Sequence, residues 1–265
     1  MIPALGLVHR RQQFTGICVD LTGGLGNQLF GFAAGWTQAR RLGIPLGLRH
    51  HRQRRETPRT FELSWLLDAP QVELCTNPPR RSFREASFAY DPAIEGVQAG
   101  TRLVGYFQSW RYSQEYADDL RALLVEHGRL PQPGSISCIA VHARRGDYLG
   151  ARQLAFHGIC HEGYYVNAVR ELRESMGDVP VQVFSDDAGY GAYLADQITH
   201  ASAVTQGGSA EQVLGHMAQA QGLVISNSSF SWWAGWLAGD AAQVIAPAPW
   251  FSDPAMSIGD LLPPT

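Results

Sequence analysis

Apolar and polar positions along this chain switch between two periods, and the switching describes a fold. GICVDL (16–21) is a short apolar, β-branched run and reads as a strand. After the turn TGGLGN, residues Leu29, Phe32, Ala33, Trp36 and Ala39 recur at helical spacing as far as Gly43. IPLGLR resumes as a strand, which completes a β-loop-α-β unit with a glycine-rich first loop. RLVGYF (102–107) predicts another strand, and Ser113 predicts the cap of a helix carrying Ala117, Leu120, Leu123 and Leu124. LPQPGS (130–135) is the best linker candidate.

Beyond it the pattern is regular. Strands are predicted at 136–142, 181–185 (VQVFS), 202–204, 222–226 (GLVIS) and 243–246 (QVIA), with helices at 162–176, 188–197, 210–221 and 229–238. Ser209 with Gln212 three residues on is a capping-box signature. Strands alternating with helices imply parallel sheets covered on both faces. The fold class is therefore α/β, organised as an N-terminal half, 1–132, and a C-terminal half, 133–265, without tandem repeats. In such sheets ligands sit at the carboxyl ends of strands. The unusual polar residues of this chain all follow strands.

Composition narrows the chemistry. The 265 residues carry a formal charge of −3, which gives no global reason to expect nucleic acid or an acidic membrane as the main partner, so any anion site is local. All 21 basic residues are arginine. Without lysine there is no Walker A loop, no Schiff-base or pyridoxal chemistry and no protein kinase. Genomic GC bias also favours arginine, but the exclusions survive it, and the planar guanidinium fork suits a diphosphate. HHRQRRETPRTFE (50–62) reads as a solvated loop because it lacks interleaved aromatics; a basic rim facing an anionic substrate or membrane remains open. Cys18, Cys75, Cys138 and Cys160 form no CxxC, and Cys18 and Cys138 fall in predicted strands, as buried thiols of a reducing compartment do. The N-terminal MIPALGLVHRRQQF does not fit a secretory signal, and no segment approaches 18 uninterrupted apolar residues. The expectation is a cytoplasmic protein, with peripheral association at the inner membrane left open.

Four clusters carry the candidate chemistry. In TGGLGNQLF a dinucleotide fingerprint fails at Leu29 and a phosphate loop fails at Phe32. What remains is either a structural turn or a backbone-exposing helix start, Gly24 and Gly26, able to donate N–H groups to phosphate, with Asn27 and Gln28 adding amides for sugar hydroxyls. HARRGDY follows the strand at 136–142: one of Arg144 and Arg145 can neutralise a diphosphate, with Asp147 holding or positioning the other. His142 is either a satisfied strand-end histidine or a ligand contact. Asp186 and Asp187 can hold Mg²⁺, cap the next helix, or accept from guanine or ribose. Asn227, Ser228, Ser229 and Ser231 open a helix whose free N–H groups suit an anion. Trp232, Trp233 and Trp236 read as core more readily than as a sugar platform.

GGLGNQLF (23–30), GYFQSW (105–110), VHARRGDY (141–148), VFSDD (183–187) and SNSSFSWW (226–233) together resemble the α-1,2-fucosyltransferases of glycosyltransferase family 11, in order and approximate spacing. The resemblance implies a GT-B-like fold: two Rossmann-type domains with parallel sheets facing a central cleft, the N-terminal one on the acceptor side and the C-terminal one binding donor. It implies transfer of L-fucose from GDP-β-L-fucose, with inversion, to the 2-hydroxyl of a β-galactoside or related sugar, forming an α-1,2 linkage without a required metal. By this likeness Arg144 contacts the β-phosphate, Arg145 supports the site and His142 lies near the nucleotide. Asp186 or Asp187 addresses guanine or ribose. Ser228, Ser229 and Phe230, beside Asn227, line the phosphate and fucose pocket. The loop of Gly24 and Gly26, with Asn27 and Gln28, faces the reacting centre. The chain is short for the family, and Gly31 replaces a larger residue; both bear on acceptor choice, whether O-antigen repeat, capsular unit or free oligosaccharide.

In the mechanism this suggests, the acceptor hydroxyl attacks C1 opposite the diphosphate while Arg144 stabilises the departing charge. Asp147 is the candidate general base, or else fixes an arginine. Three rivals stand beside it. One is a transferase using a metal on Asp186 and Asp187, one a non-catalytic nucleotide- or sugar-binding module, and one a transferase using another nucleotide sugar.

Overall fold

Strand β1 (Ile17–Leu21), buried except at Asp20, passes through a turn at Gly23 into α1 (Leu25–Leu42). Gly23 takes φ +73°, and Gly43 ends the helix in the left-handed region, where its N–H reaches the carbonyls of Ala39 and Arg40. β2 (Leu46–His50), β3 (Val72–Leu74), β4 (Arg81–Arg84) and β5 (Thr101–Val104) complete a parallel sheet ordered β3-β2-β1-β5-β4. α2 (Ala117–Gly128) follows. The structure describes residues 12–50, 60–205, 207–253, 256 and 260–263 of this computed structural model, so most of the arginine-rich stretch at 50–62 lies outside the described residues.

The second sheet is ordered β10-β9-β6-β7-β8, again parallel, from β6 (Ile136–Ala143), β7 (Val181–Ser185), β8 (Ala201–Ala203), β9 (Ala220–Val224) and β10 (Gln243–Ile245). Its connections hold α3 (Ala151–His157), α4 (Glu162–Met176), α5 (Ala188–Asp196), α6 (Ala210–Ala218) and α7 (Ser229–Ala238). The predicted capping box at Ser209 and Gln212 is present. Among the described residues no helix is long and apolar enough to cross a membrane.

Three expectations need correction, and three elements were not foreseen. The strand predicted over 102–107 stops at Val104, because Phe107 takes φ +55° and turns the chain. Ser113 does not cap α2; its hydroxyl donates to the Trp110 carbonyl at 3.3 Å, and Tyr116 holds the N-cap position. The helix predicted to 221 ends at Ala218, and β9 begins two residues before GLVIS. The linker causes this, since the Gly134 and Ile136 N–H groups take the Ala218 and Gln219 carbonyls, both at 2.8 Å. Finally β3, β4 and α3 carried no periodic signal.

The apolar core runs through both halves. Phe30 of α1 lies 4.5 Å from Trp232 and 5.1 Å from Trp233, ring centroid to centroid, so these two tryptophans are core, while Trp236 is half-buried at its edge under the Arg121 guanidinium. Period-2 geometry divides β6: Ile139, Val141 and Ala143 join the cluster containing Tyr165 and Leu172 of α4, while Cys138 and Ala140 face the cluster of α6 and α7. The chain end returns to the first half, where Asp260 accepts from the Tyr90 N–H at 3.0 Å and the Trp110 N–H at 3.2 Å.

Candidate active site

His142 lies on the α7 side of β6, at the point where the central strand runs out. Only 2% exposed, it places Nδ1 3.1 Å from Ser226 Oγ, and its ring is 5.4 Å from Phe230. Ser226 in turn meets Ser231 Oγ at 3.3 Å. Burial, with a smaller push from the Arg144 charge, drives the His142 pKa down to about 3, so the ring is neutral at physiological pH. The linkage has a definite sign. Below pH 6.5 the unfolded chain binds a proton that the native ring refuses, so stability falls as the medium is acidified from there. Between pH 7 and 5 this amounts to about 2 kcal/mol, from about 1.4 kcal/mol per unit. Urea midpoints at the two pH values should show that loss in the parent and a smaller one in His142→Asn; equal slopes would refute the assignment.

Immediately after β6, Arg144 is held by two carboxylates: Nη2 donates to Asp147 Oδ1 at 2.6 Å and Nη1 meets Asp186 Oδ2 at 2.9 Å. Its guanidinium also lies 5.4 Å from the Tyr148 ring centroid. With the Arg144 side chain 25% exposed and Asp147 40%, such pairs add little stability, of order 0–1 kcal/mol each, so their main effect is to fix where the fork points. Arg145 has a different job. Its N–H donates to Asp186 Oδ1 at 2.8 Å, and its guanidinium stacks 4.1 Å over Tyr190.

Thus three of the second-half clusters do meet at the carboxyl ends of the adjacent strands β9, β6 and β7, and the first-half loop reaches them. Gly26 sits so close to α7 that a Cβ would lie 2.5 Å from Phe230 N, and its carbonyl accepts from Trp233 Nε1 at 3.0 Å. The first turns of α1 and α7 are therefore in contact. Gly24 holds the N-cap of α1, and a Cβ there would meet nothing nearer than Glu62 Oε1 at 3.9 Å, which leaves the loop surface open.

Several sequence candidates are occupied elsewhere. Gln28 is fully buried; its amide donates to the Gly23 and Thr60 carbonyls and its oxygen accepts from Glu62 N–H, so it fastens a loop and is not a sugar contact. Asn227, 4% exposed, donates to the carbonyls of His157 and Trp250 and accepts from the Cys160 thiol, which pins α3 to the C-terminal segment. Asp187 caps α5 through the Tyr190 N–H at 3.0 Å, and Ser228 caps α7 through the Phe230 N–H at 3.3 Å. Gly26 packs α1 closely against α7. Asp186, expected near guanine or ribose, spends both oxygens on the arginine pair. Ser229 and Phe230 remain half-buried at the start of α7.

Beside this cluster a cleft of about 600 Å³ separates the halves. Asn27, Phe88, Tyr106 and Gln108 line it from the first half, and Arg152, Phe156, His157 and Phe251 from the second. Arg144 does not line it. The two are joined by a stack, for Tyr148, under the Arg144 guanidinium, lies 4.5 Å from the His157 ring at an interplanar angle of 11°. Asn27 Oδ1 accepts from Gln108 Nε2 at 2.6 Å, which fixes the cleft floor. Tyr106, Gln108, Tyr148 and His157 were not singled out from the sequence. Tyr106 and Gln108 belong to the GYFQSW motif, and they lie beyond the carboxyl end of β5.

A cation fork aligned at the carboxyl ends of a parallel sheet, beside a cleft between two α/β halves, is an arrangement suited to group transfer from an anionic donor. The profile of glycosyl transferase family 11 matches residues 100–261. The chain is 30% identical to an alpha-1,2-colitosyltransferase of Escherichia coli, over 93% of this chain and 96% of that one. It is 29% identical to the O-antigen biosynthesis glycosyltransferase WbnK of Escherichia coli over 43% of this chain and 39% of that one. Its fold matches the E. coli heptosyltransferase WaaC with ADP at a TM-score of 0.50, with 12% identity, over 91% of this chain and 96% of that one, as a GT-B arrangement of two parallel-sheet α/β domains. On the family profile and the near full-length identity, the chain belongs to glycosyl transferase family 11.

Proposed function

We propose that the protein transfers L-fucose from GDP-β-L-fucose to the 2-hydroxyl of a galactoside, inverting the anomeric centre to give an α-1,2 linkage. The observation that carries this reading is the Arg144 fork, aligned by Asp147 and Asp186 where β6 ends and one aromatic stack away from the cleft. On this reading the second half holds the donor and the first half, with Asn27, receives the acceptor. Arg144 stabilises charge on the departing diphosphate, a contact worth most when the bond is breaking. Asp147 acts through Arg144, keeping the fork in place. The acceptor hydroxyl attacks C1 from the cleft side as the C1–O bond to the diphosphate breaks; GDP leaves with that electron pair, stabilised by the Arg144 guanidinium, and the hydroxyl proton passes to solvent.

A second reading comes from the colitosyltransferase relative, since colitose is fucose without its 3-hydroxyl. A site that hydrogen-bonds that hydroxyl rejects the deoxy sugar strongly, whereas an apolar one tolerates both. The test is incubation with GDP-fucose or nucleotide-activated colitose and a panel of β-galactosides, with and without EDTA, followed by linkage determination by NMR. Fucosyl transfer to the 2-position that persists in EDTA is expected. Preference for colitose moves the donor assignment to the second reading, loss in EDTA points to metal-assisted transfer, and tight GDP binding without any product leaves a binding module.

A further inference from the structure

The acceptor side of the cleft is shaped by a turn whose geometry is set from another strand. β4 and β5 pair in register, Arg84 opposite Val104, so Glu85 stands beside Gly105 as both strands end. Glu85 Oε2 accepts the Tyr106 N–H at 2.7 Å, and the neighbouring Phe107 N–H is near enough to the carboxylate to favour its charged form. The approach requires glycine, for a Cβ on Gly105 would sit 2.5 Å from Glu85 Cβ and 2.6 Å from its Oε2. Phe107 is fully buried at φ +55°, a left-handed conformation that a bulky residue adopts only when its surroundings enforce it. The residues on either side of Phe107, Tyr106 and Gln108, enter the cleft, and Gln108 anchors Asn27.

Glu85 is half-buried, with one carboxylate oxygen enclosed. Glu85 Oε1 is buried with no hydrogen-bond partner among the described residues, and burial raises the Glu85 pKa against the lowering effect of the two N–H groups. We infer that Glu85 is a positioning residue for the acceptor: by clamping the Tyr106 and Phe107 N–H groups it fixes where Tyr106 and Gln108 meet the sugar that receives the glycosyl group. The inference rests on the cleft being the acceptor side.

Glu85→Ala and the isosteric Glu85→Gln test it, with KM measured separately for acceptor and donor. The alanine variant should raise acceptor KM about tenfold or more with donor KM within about twofold, and glutamine, which keeps one carbonyl acceptor, should recover part of the loss. Amide hydrogen exchange at Tyr106 and Phe107 should quicken in alanine and less in glutamine while β1 and β6 stay protected. Equal rises in both KM values, or unchanged exchange at the two amides, overturns the inference. If galactosides fail as acceptors for the parent, the functional reading falls separately; faster exchange with unchanged GDP affinity then supports the clamp, and weakened GDP affinity counts against it.

Discussion

Arg144→Ala should lower turnover by about 10²–10³-fold, the usual result of removing one preorganised donor to a developing anion. The loss has a second source in the geometry. Asp147 and Asp186 both point at the guanidinium, and without it two carboxylates are left at the place where the diphosphate is proposed to sit. Affinity for GDP should therefore fall together with kcat, as calorimetry would report. Asp147→Asn separates two roles for its carboxylate. An amide oxygen can still accept from Arg144, so an aligning role predicts a loss of only about tenfold, in line with a hydrogen bond to a charged group. A loss as deep as that of Arg144→Ala would instead mark Asp147 as the group that takes the acceptor proton. Near-normal turnover in Arg144→Ala would remove the basis of the proposed chemistry.

Gly26→Ala should be strongly destabilising for so small a substitution. The new methyl would press on the backbone at Ser229 and Phe230, which cannot swing aside as a side chain can. Overpacking of this kind costs about 1–3 kcal/mol, and a stretched Trp233 Nε1 bond to the Gly26 carbonyl adds about 1–3 kcal/mol for a buried donor left unsatisfied. Gly31→Ala, five residues along the same helix, is the control. Its Cβ would meet Val19 Cγ2 at 3.4 Å and Leu21 Cδ2 at 3.5 Å, ordinary contacts, and alanine favours the helix by about 1 kcal/mol. Urea unfolding should show a clearly lowered midpoint for the first variant and little change for the second. Similar midpoints would mean that the α1–α7 contact is not tight.

The long elements were legible because each buries one face against a sheet and so repeats a period. The helix predicted over 162–176 and the strand over 181–185 coincide with α4 and β7. β4 was not legible, since RSFR has no fully buried position, and α3 buries none of its residues. The arginine cluster could be read because its charges follow a strand within a few residues. The occupations of Gln28 and Asn227 could not: their partners at Thr60, His157 and Trp250 are far along the chain, and only the fold brings them together. Asp186 and Asp187 looked like one unit in sequence, yet one serves Arg144 and the other caps a helix.

The touching starts of α1 and α7 also have an electrical consequence. Neither first turn contains an acidic residue. Each helix head carries a partial positive charge of about half a unit, so the protein alone presses two like poles together. A negatively charged guest between them would reverse the sign of that interaction and draw the lobes toward each other, which would make the proposed nucleotide donor a keystone of the assembly that receives it.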